Sequence, residues 1–236
     1  MSKGNATKLL GAATLGLMVA ALFMVFVYAP AEAAQGDVQR IFYFHVPLAW
    51  VAFAAFAITA VAGLFYLWLG YPVFDQLAYA AAEAGVVFCT LVLVTGSLWA
   101  RPIWGTWWTW DSRLTSTFIL WLLYVGYLAL RAALADGEQG ARMGAVFGLV
   151  AAADVPVVVV SVRLWRTIHP AVLVTREGSH GLADARMVAT LLVSMVAVTA
   201  VFGWLLALRV ATLRAEARLH GLAAELLALE RASEEN

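Results

Sequence analysis

Five of the chain's ten tryptophans fall between Trp99 and Trp110, in a stretch that runs on through Asp111, Ser112, Arg113 and Leu114 to Thr115. Indoles are broad, rigid and flat, so Trp104, Trp107, Trp108 and Trp110 can stack on a large planar ligand. Beside them stands Arg113, whose planar fork is suited to gripping carboxylates. The common use of tryptophan in apolar chains is an interfacial belt. A belt needs one or two rings per helix end, however, whereas here the rings crowd one short stretch punctuated by Gly105 and closed by Asp111 and Arg113. That crowding favours a ligand platform. The chain also has four histidines, His45, His169, His180 and His220. Neutral imidazole is the commonest metal ligand, but a lone histidine near a membrane surface is by default a hydrogen-bonded bystander, so placement must decide which ones act.

The elements that place these residues are set by composition. Of 236 residues 64% are hydrophobic and 13% charged, about half the roughly one quarter charged of a soluble domain. The mean hydropathy is +0.86. The apolar residues come in continuous blocks near the length of a bilayer crossing, and they do not alternate as barrel strands do. The fold class expected is therefore all-α, a single polytopic membrane domain over 1–236. Six spans are expected at about Leu9–Tyr28, Val46–Tyr71, Ala84–Ala100, Leu114–Leu130, Met143–Val162 and Met187–Leu208. Small residues after Ala52 and Leu77 would let neighbouring backbones approach. Lys3 and Lys8 precede the first span and Ala31-Glu32-Ala33 resembles a cleavage site, but the apolar stretch exceeds a signal h-region, which favours an uncleaved helix.

Parity then sorts the histidines. His45 lies at the border of the first two spans, the tryptophan connector (99–115) joins the third to the fourth, and His169 lies between the fifth and sixth. All three are odd-to-even connections, so they share one face of the membrane. His180 lies on that face too, in the turn-like Glu177-Gly178-Ser179-His180-Gly181, and reads as a bystander; His220 reads as a solvated tail residue. Basic residues barely choose an orientation, eight on one side against seven on the other. Lys3 and Lys8 favour an inside N-terminus and hence an outward-facing tryptophan connector. The seven arginines of that outer side suit an anionic ligand, although Arg101, Arg163, Arg166 and Arg186 can also snorkel to headgroups. The tail 209–236 carries leucines at 213, 219, 222, 226 and 229, a helical stripe that extends the sixth span into the cytoplasm. Asp154 sits deep in the fifth span, where Pro156 is expected to kink the helix and free a carbonyl, and it is expected to pair there with a polar group of another helix. Glu83 is the other acidic residue near the spans.

Several functions are excluded. The single cysteine, Cys89, lies in an apolar block and is expected to pack; alone it allows no disulfide within the chain, no CxxC thiol pair and no CxxCH attachment site. There is no GxxxxGK[ST] phosphate loop, and a net charge of zero gives no field for nucleic acid.

Trp104-Gly105-Thr106-Trp107-Trp108-Thr109-Trp110-Asp111-Ser112-Arg113 resembles the tryptophan-rich WWD signature of heme-handling proteins in cytochrome c assembly. Arg40, Phe44-His45-Val46-Pro47 and Trp165-Arg166-Thr167-Ile168-His169 resemble the flanking histidine segments of one such family, cytochrome c maturation protein C, or heme exporter protein C. The likeness covers nearly the whole chain. Length and span count favour this family over two larger relatives, the heme lyase subunit of the same system and the synthetase of the other. The resemblance implies a non-enzymatic assembly factor of the bacterial inner membrane that binds heme b transiently at the periplasmic face. It would present that heme to a membrane-anchored heme chaperone (protein E) for covalent attachment. The implied complex adds an ABC ATPase (protein A), its membrane partner (protein B) and a small membrane subunit (protein D). By the same resemblance His45 and His169 are the axial ligands of the heme iron, Asp111 and Arg113 are polar residues of the motif, and Arg40 precedes the first ligand. Arg40 and Arg113, close in sequence to a ligand and to the platform, are the expected partners of the heme propionates. Two other readings stay open: a permease for heme or another solute, and a b-type redox protein that keeps its heme.

Overall fold

The computed structural model describes residues 3–134, 137–165, 167, 169, 182 and 184–234. Seven α-helices account for nearly all of them: α1 (Lys3–Phe23), α2 (Phe42–Leu69), α3 (Pro72–Trp104), α4 (Ser112–Ala133), α5 (Glu138–Ala152), α6 (Asp154–Leu164) and α7 (Ala185–Glu234). A π turn, Met24–Tyr28, extends α1, and a 3-10 turn, Asp37–Ile41, leads into α2. With α5 and α6 taken as one broken helix, six among the described helices are long and apolar enough to cross a membrane. Their outer surfaces remain rich in exposed leucine, valine and aromatic side chains, such as Leu15, Val27 and Trp68. Water would penalise that surface, whereas lipid does not.

The core is aromatic and tight. Phe56 of α2 stacks on Tyr124 of α4, ring centres 3.8 Å apart and planes at 17°, amid fully buried Val51, Ala55, Leu120, Tyr127 and Val158. Glycine makes this contact possible, because a Cβ on Gly85 of α3 would lie 2.5 Å from the Phe56 ring. Cys89 packs in the same cluster, as expected. At one end of the bundle two ion pairs tie the helices together. Arg131 of α4 binds Asp75 of α3 through both carboxylate oxygens, and Arg209 of α7 holds Glu83 of α3 at 2.6 and 3.0 Å. Both guanidiniums also face the ring of Tyr79, at 5.2 and 5.8 Å.

Two boundaries differ from expectation, and the kink expected at Pro156 is a full break in the fifth span. The stretch 72–83, expected as a connection, forms the first three turns of α3: Pro72 at the helix start has no N–H to leave unsatisfied, and Gly70, at φ 72°, turns the chain sharply out of α2. The tryptophan connector is shorter than 99–115. Residues 99–104 are helical and α3 stops at Gly105, whose φ of 73° and N–H donated to Arg101 O make a glycine C-cap. The fifth span breaks at Ala153, near Pro156, which lacks the N–H a continuous helix needs. Asp154 does not find the partner expected of it: its Oδ2 is buried and, among the described residues, makes no hydrogen bond. The tail does continue the last span. Helix α7 runs 50 residues, about 75 Å at 1.5 Å per residue, and every residue from Arg214 to Ser233 is exposed.

Candidate functional site

At the end of the bundle opposite the two ion pairs, α2, α3, α4 and α7 enclose a pocket of about 280 Å³. Its inner wall is apolar, from Ala49, Ala52 and Phe53 on α2 and Cys89, Val92 and Leu93 on α3. Its mouth carries the chemistry: His45, Trp99, Trp104, Trp108, Arg113 and His169 all line it. The shared face deduced from parity is thus realised as a shared cavity.

His45 sits in the first turn of α2 and is 8% exposed. Its Nδ1 lies 2.9 Å from Thr95 Oγ1 of α3, and the Trp99 ring meets it edge-on at 6.0 Å. His169, beyond the end of α6, donates its backbone N–H to Thr167 Oγ1 at 3.1 Å. The two imidazoles are 124 residues apart in sequence, yet their ring centres are 6.4 Å apart and their planes inclined by 38°. A metal–imidazole nitrogen bond is about 2 Å and a ring nitrogen sits about 1.1 Å from its ring centre, so imidazoles on opposite sides of one metal place their centres roughly 6 Å apart. The observed spacing therefore suits two axial ligands of a single ion. No group of three or more His, Cys, Asp or Glu side chains converges on a metal site among the described residues. A pair of imidazoles matches a metal whose remaining positions are filled by a macrocycle it arrives in, as in heme.

The connector is built by capping. Asp111 is the N-cap of α4, its Oδ1 accepting from the backbone N–H groups of Arg113 and Leu114 at 2.9 and 3.1 Å, while Thr109 Oγ1 donates to its Oδ2 at 2.9 Å. A carboxylate in this place satisfies orphan donors at the positive end of the helix. Asp111 thus steers Arg113 through the backbone; among the described residues no ion pair joins the two side chains. Arg113 is half-buried and lines the cavity. Nearby, Trp108 Nε1, Ser112 Oγ and Thr115 Oγ1 are buried without hydrogen-bond partners among the described residues.

The structure brings some of the sequence-expected residues together and separates others. His45, His169, Trp104, Trp108 and Arg113 come together at the cavity. Trp107 and Trp110 form an outer rim, 55% and 73% exposed, with Arg101 over the Trp107 ring at 6.0 Å and Trp110 edge-on to Trp108. Arg40 does not line this cavity. Its guanidinium donates to the Val25 and Ala29 carbonyls at the π-helical end of the first span and pairs with Asp37 at 2.9 Å, so it fastens that end to the start of α2. Arg166 and His180 lie outside the described residues. Sequence reasoning counted Trp99 among the clustered tryptophans without giving it a role, and it did not single out Thr95 or Gly96. Their signal was present only in the register of α3, where 95, 96 and 99 fall on one helical face.

Fold and site together define a polytopic α-helical membrane protein with an indole-walled, two-histidine pocket at one end of its bundle. The chain belongs to the heme exporter protein C (CcmC) family, whose profile matches residues 2–224. It is 41% identical to the heme exporter protein C of Bradyrhizobium diazoefficiens over 193 residues, 82% of this chain and 73% of that protein. With the heme exporter protein C of Escherichia coli K12 it shares 40% identity over 144 residues, 61% of this chain and 59% of the other. A putative cytochrome c biosynthesis ccmC-like mitochondrial protein of Arabidopsis thaliana is 33% identical over 165 residues, 70% of this chain and 62% of that one.

Proposed function

We propose that the chain serves cytochrome c biogenesis by holding heme b between His45 and His169 and presenting it to a membrane-anchored heme chaperone. The supporting observation is the pair of imidazole rings 6.4 Å apart at an indole-walled cavity. Its family membership and the names of its relatives point to the same cargo. In this reading Trp104 and Trp108 cover the porphyrin face. Arg113, which lines the cavity, receives the propionates. Trp107 and Trp110, on the exposed rim, meet the chaperone. Asp111 keeps the connector in shape, and Arg40 keeps the outer end of the first span against α2. The site faces the periplasm from the bacterial inner membrane, the α7 tail faces the cytoplasm, and the working assembly includes the ABC ATPase, its membrane partner and the small subunit. The chain acts as a carrier, so covalent chemistry belongs to the chaperone.

The test is transfer. With the chaperone co-expressed, Trp108→Ala and Asp111→Ala should leave the protein in the membrane and still able to bind heme, yet lower covalent loading of the chaperone several-fold. Normal loading by both variants at normal protein levels would return the connector to a membrane anchor. A resident b-type cytochrome would instead keep its heme when the chaperone is present.

A further inference from the structure

His45 is the better-enclosed of the two imidazoles, and its surroundings decide which of its nitrogens can bind a metal. Thr95 Oγ1 lies 2.7 Å from Leu91 O and 3.3 Å from Val92 O. Carbonyls only accept, so the one hydroxyl proton of Thr95 is directed into the backbone of its own helix, a habit of threonine within helices. The oxygen that faces His45 Nδ1 at 2.9 Å is then an acceptor, and the imidazole must donate to it. A neutral imidazole carries one N–H; with that proton on Nδ1, the lone pair is on Nε2. The next residue makes room for the ring. A Cβ at Gly96 would stand 3.1 Å from His45 Cε1, tighter than ordinary contact, and one turn on Trp99 closes the seat from the side.

We propose that Thr95 is a positioning residue for the metal site: it locks His45 in the Nδ1–H tautomer and aims Nε2 into the cavity, with Gly96 as the clearance that lets the ring sit there. This rests on the reading that His45 ligates heme iron. The hydrogen bond orients the ring and, by drawing on its N–H, makes Nε2 a stronger donor; losing such an outer partner commonly weakens metal binding 10–100-fold. Nothing covalent changes in this step.

The full-length protein in detergent or nanodiscs, titrated with hemin, provides the test. Thr95→Val keeps the shape of the side chain and removes the acceptor. It should weaken hemin binding by about tenfold or more, convert part of the low-spin spectrum to a five-coordinate form, and raise the reduction potential, since a weaker donor stabilises ferric iron less. Thr95→Ser, which keeps the hydroxyl, should restore all three to within about twofold of the parent. Should Thr95→Val fail to accumulate, Thr95→Ala removes the same oxygen without added bulk and carries the same expectation. A valine or alanine variant with the parental spectrum, affinity and potential overturns the proposal. His45→Ala separates this failure from failure of the underlying reading. If it changes the heme spectrum while Thr95→Val does not, Thr95 is irrelevant to a real ligand; if neither changes it, His45 is not a ligand.

Discussion

Arg113 reaches the cavity from the first turn of α4 with its backbone held by Asp111 and no side-chain carboxylate paired to it among the described residues. The proposed function makes this cation the partner of the heme propionates. Arg113→Gln should therefore weaken hemin binding by about tenfold, the equivalent of roughly 1.4 kcal/mol, and leave binding of hemin dimethyl ester nearly unchanged. Equal losses for both ligands would mean that Arg113 supports the fold and does not contact propionate. Asp111 acts by a different route. Asp111→Ala removes an N-cap worth about 0.5–2 kcal/mol, so the melting temperature should fall, and Asp111→Asn or Asp111→Ser, which still cap, should recover most of it. A thermal melt in detergent distinguishes these outcomes.

The helices are positioned by glycine and aromatic side chains, as the contact between α2, α3 and α4 shows. Gly85→Ala would push a methyl group to 2.5 Å from Phe56, whose ring is stacked against the fully buried Tyr124 and has nowhere to go. The expected cost is about 1–3 kcal/mol. Gly16→Ala on α1, with nothing within 4 Å of the added carbon, should be neutral or mildly stabilising; similar melting temperatures for the two variants would contradict the packing described here. At this scale the amino-acid pattern was a good guide to the helices and a poorer one to their ends. Continuous apolar blocks located the crossings, and parity placed His45, the tryptophans and His169 on one face, because a bilayer forces each span to change sides. Thr95 and Gly96 lie inside the expected third span, and only the register of α3 puts them on the face that meets His45; the same helix runs on past Trp99 and ends at Gly105. The contacts of Arg40 with the Val25 and Ala29 carbonyls, and an Asp154 Oδ2 that makes no hydrogen bond among the described residues, left no trace in the sequence pattern.

Across the whole molecule, polar groups concentrate at the two ends. One end carries the ion pairs of Asp75 with Arg131 and Glu83 with Arg209, and the other the cavity. Helix α7 continues past the first end as an exposed rod. Reporter fusions at the α4–α5 connection and after Arg231 should both report cytoplasm, and a fusion at Gly105 should report periplasm; an external signal at either of the first two would invert the orientation. The central claim is that one iron joins two segments far apart in the chain, the first turn of α2 and the residues beyond α6. The most direct measurement is the absorption and EPR spectrum of purified, heme-loaded protein for His45→Ala, His169→Ala and the double variant, with His180→Ala as control. Each single change should convert a six-coordinate low-spin spectrum to a five-coordinate one or lower heme occupancy, the double variant should lose both ligands, and His180→Ala should match the parent. A double variant with the parental spectrum and heme content would contradict the account.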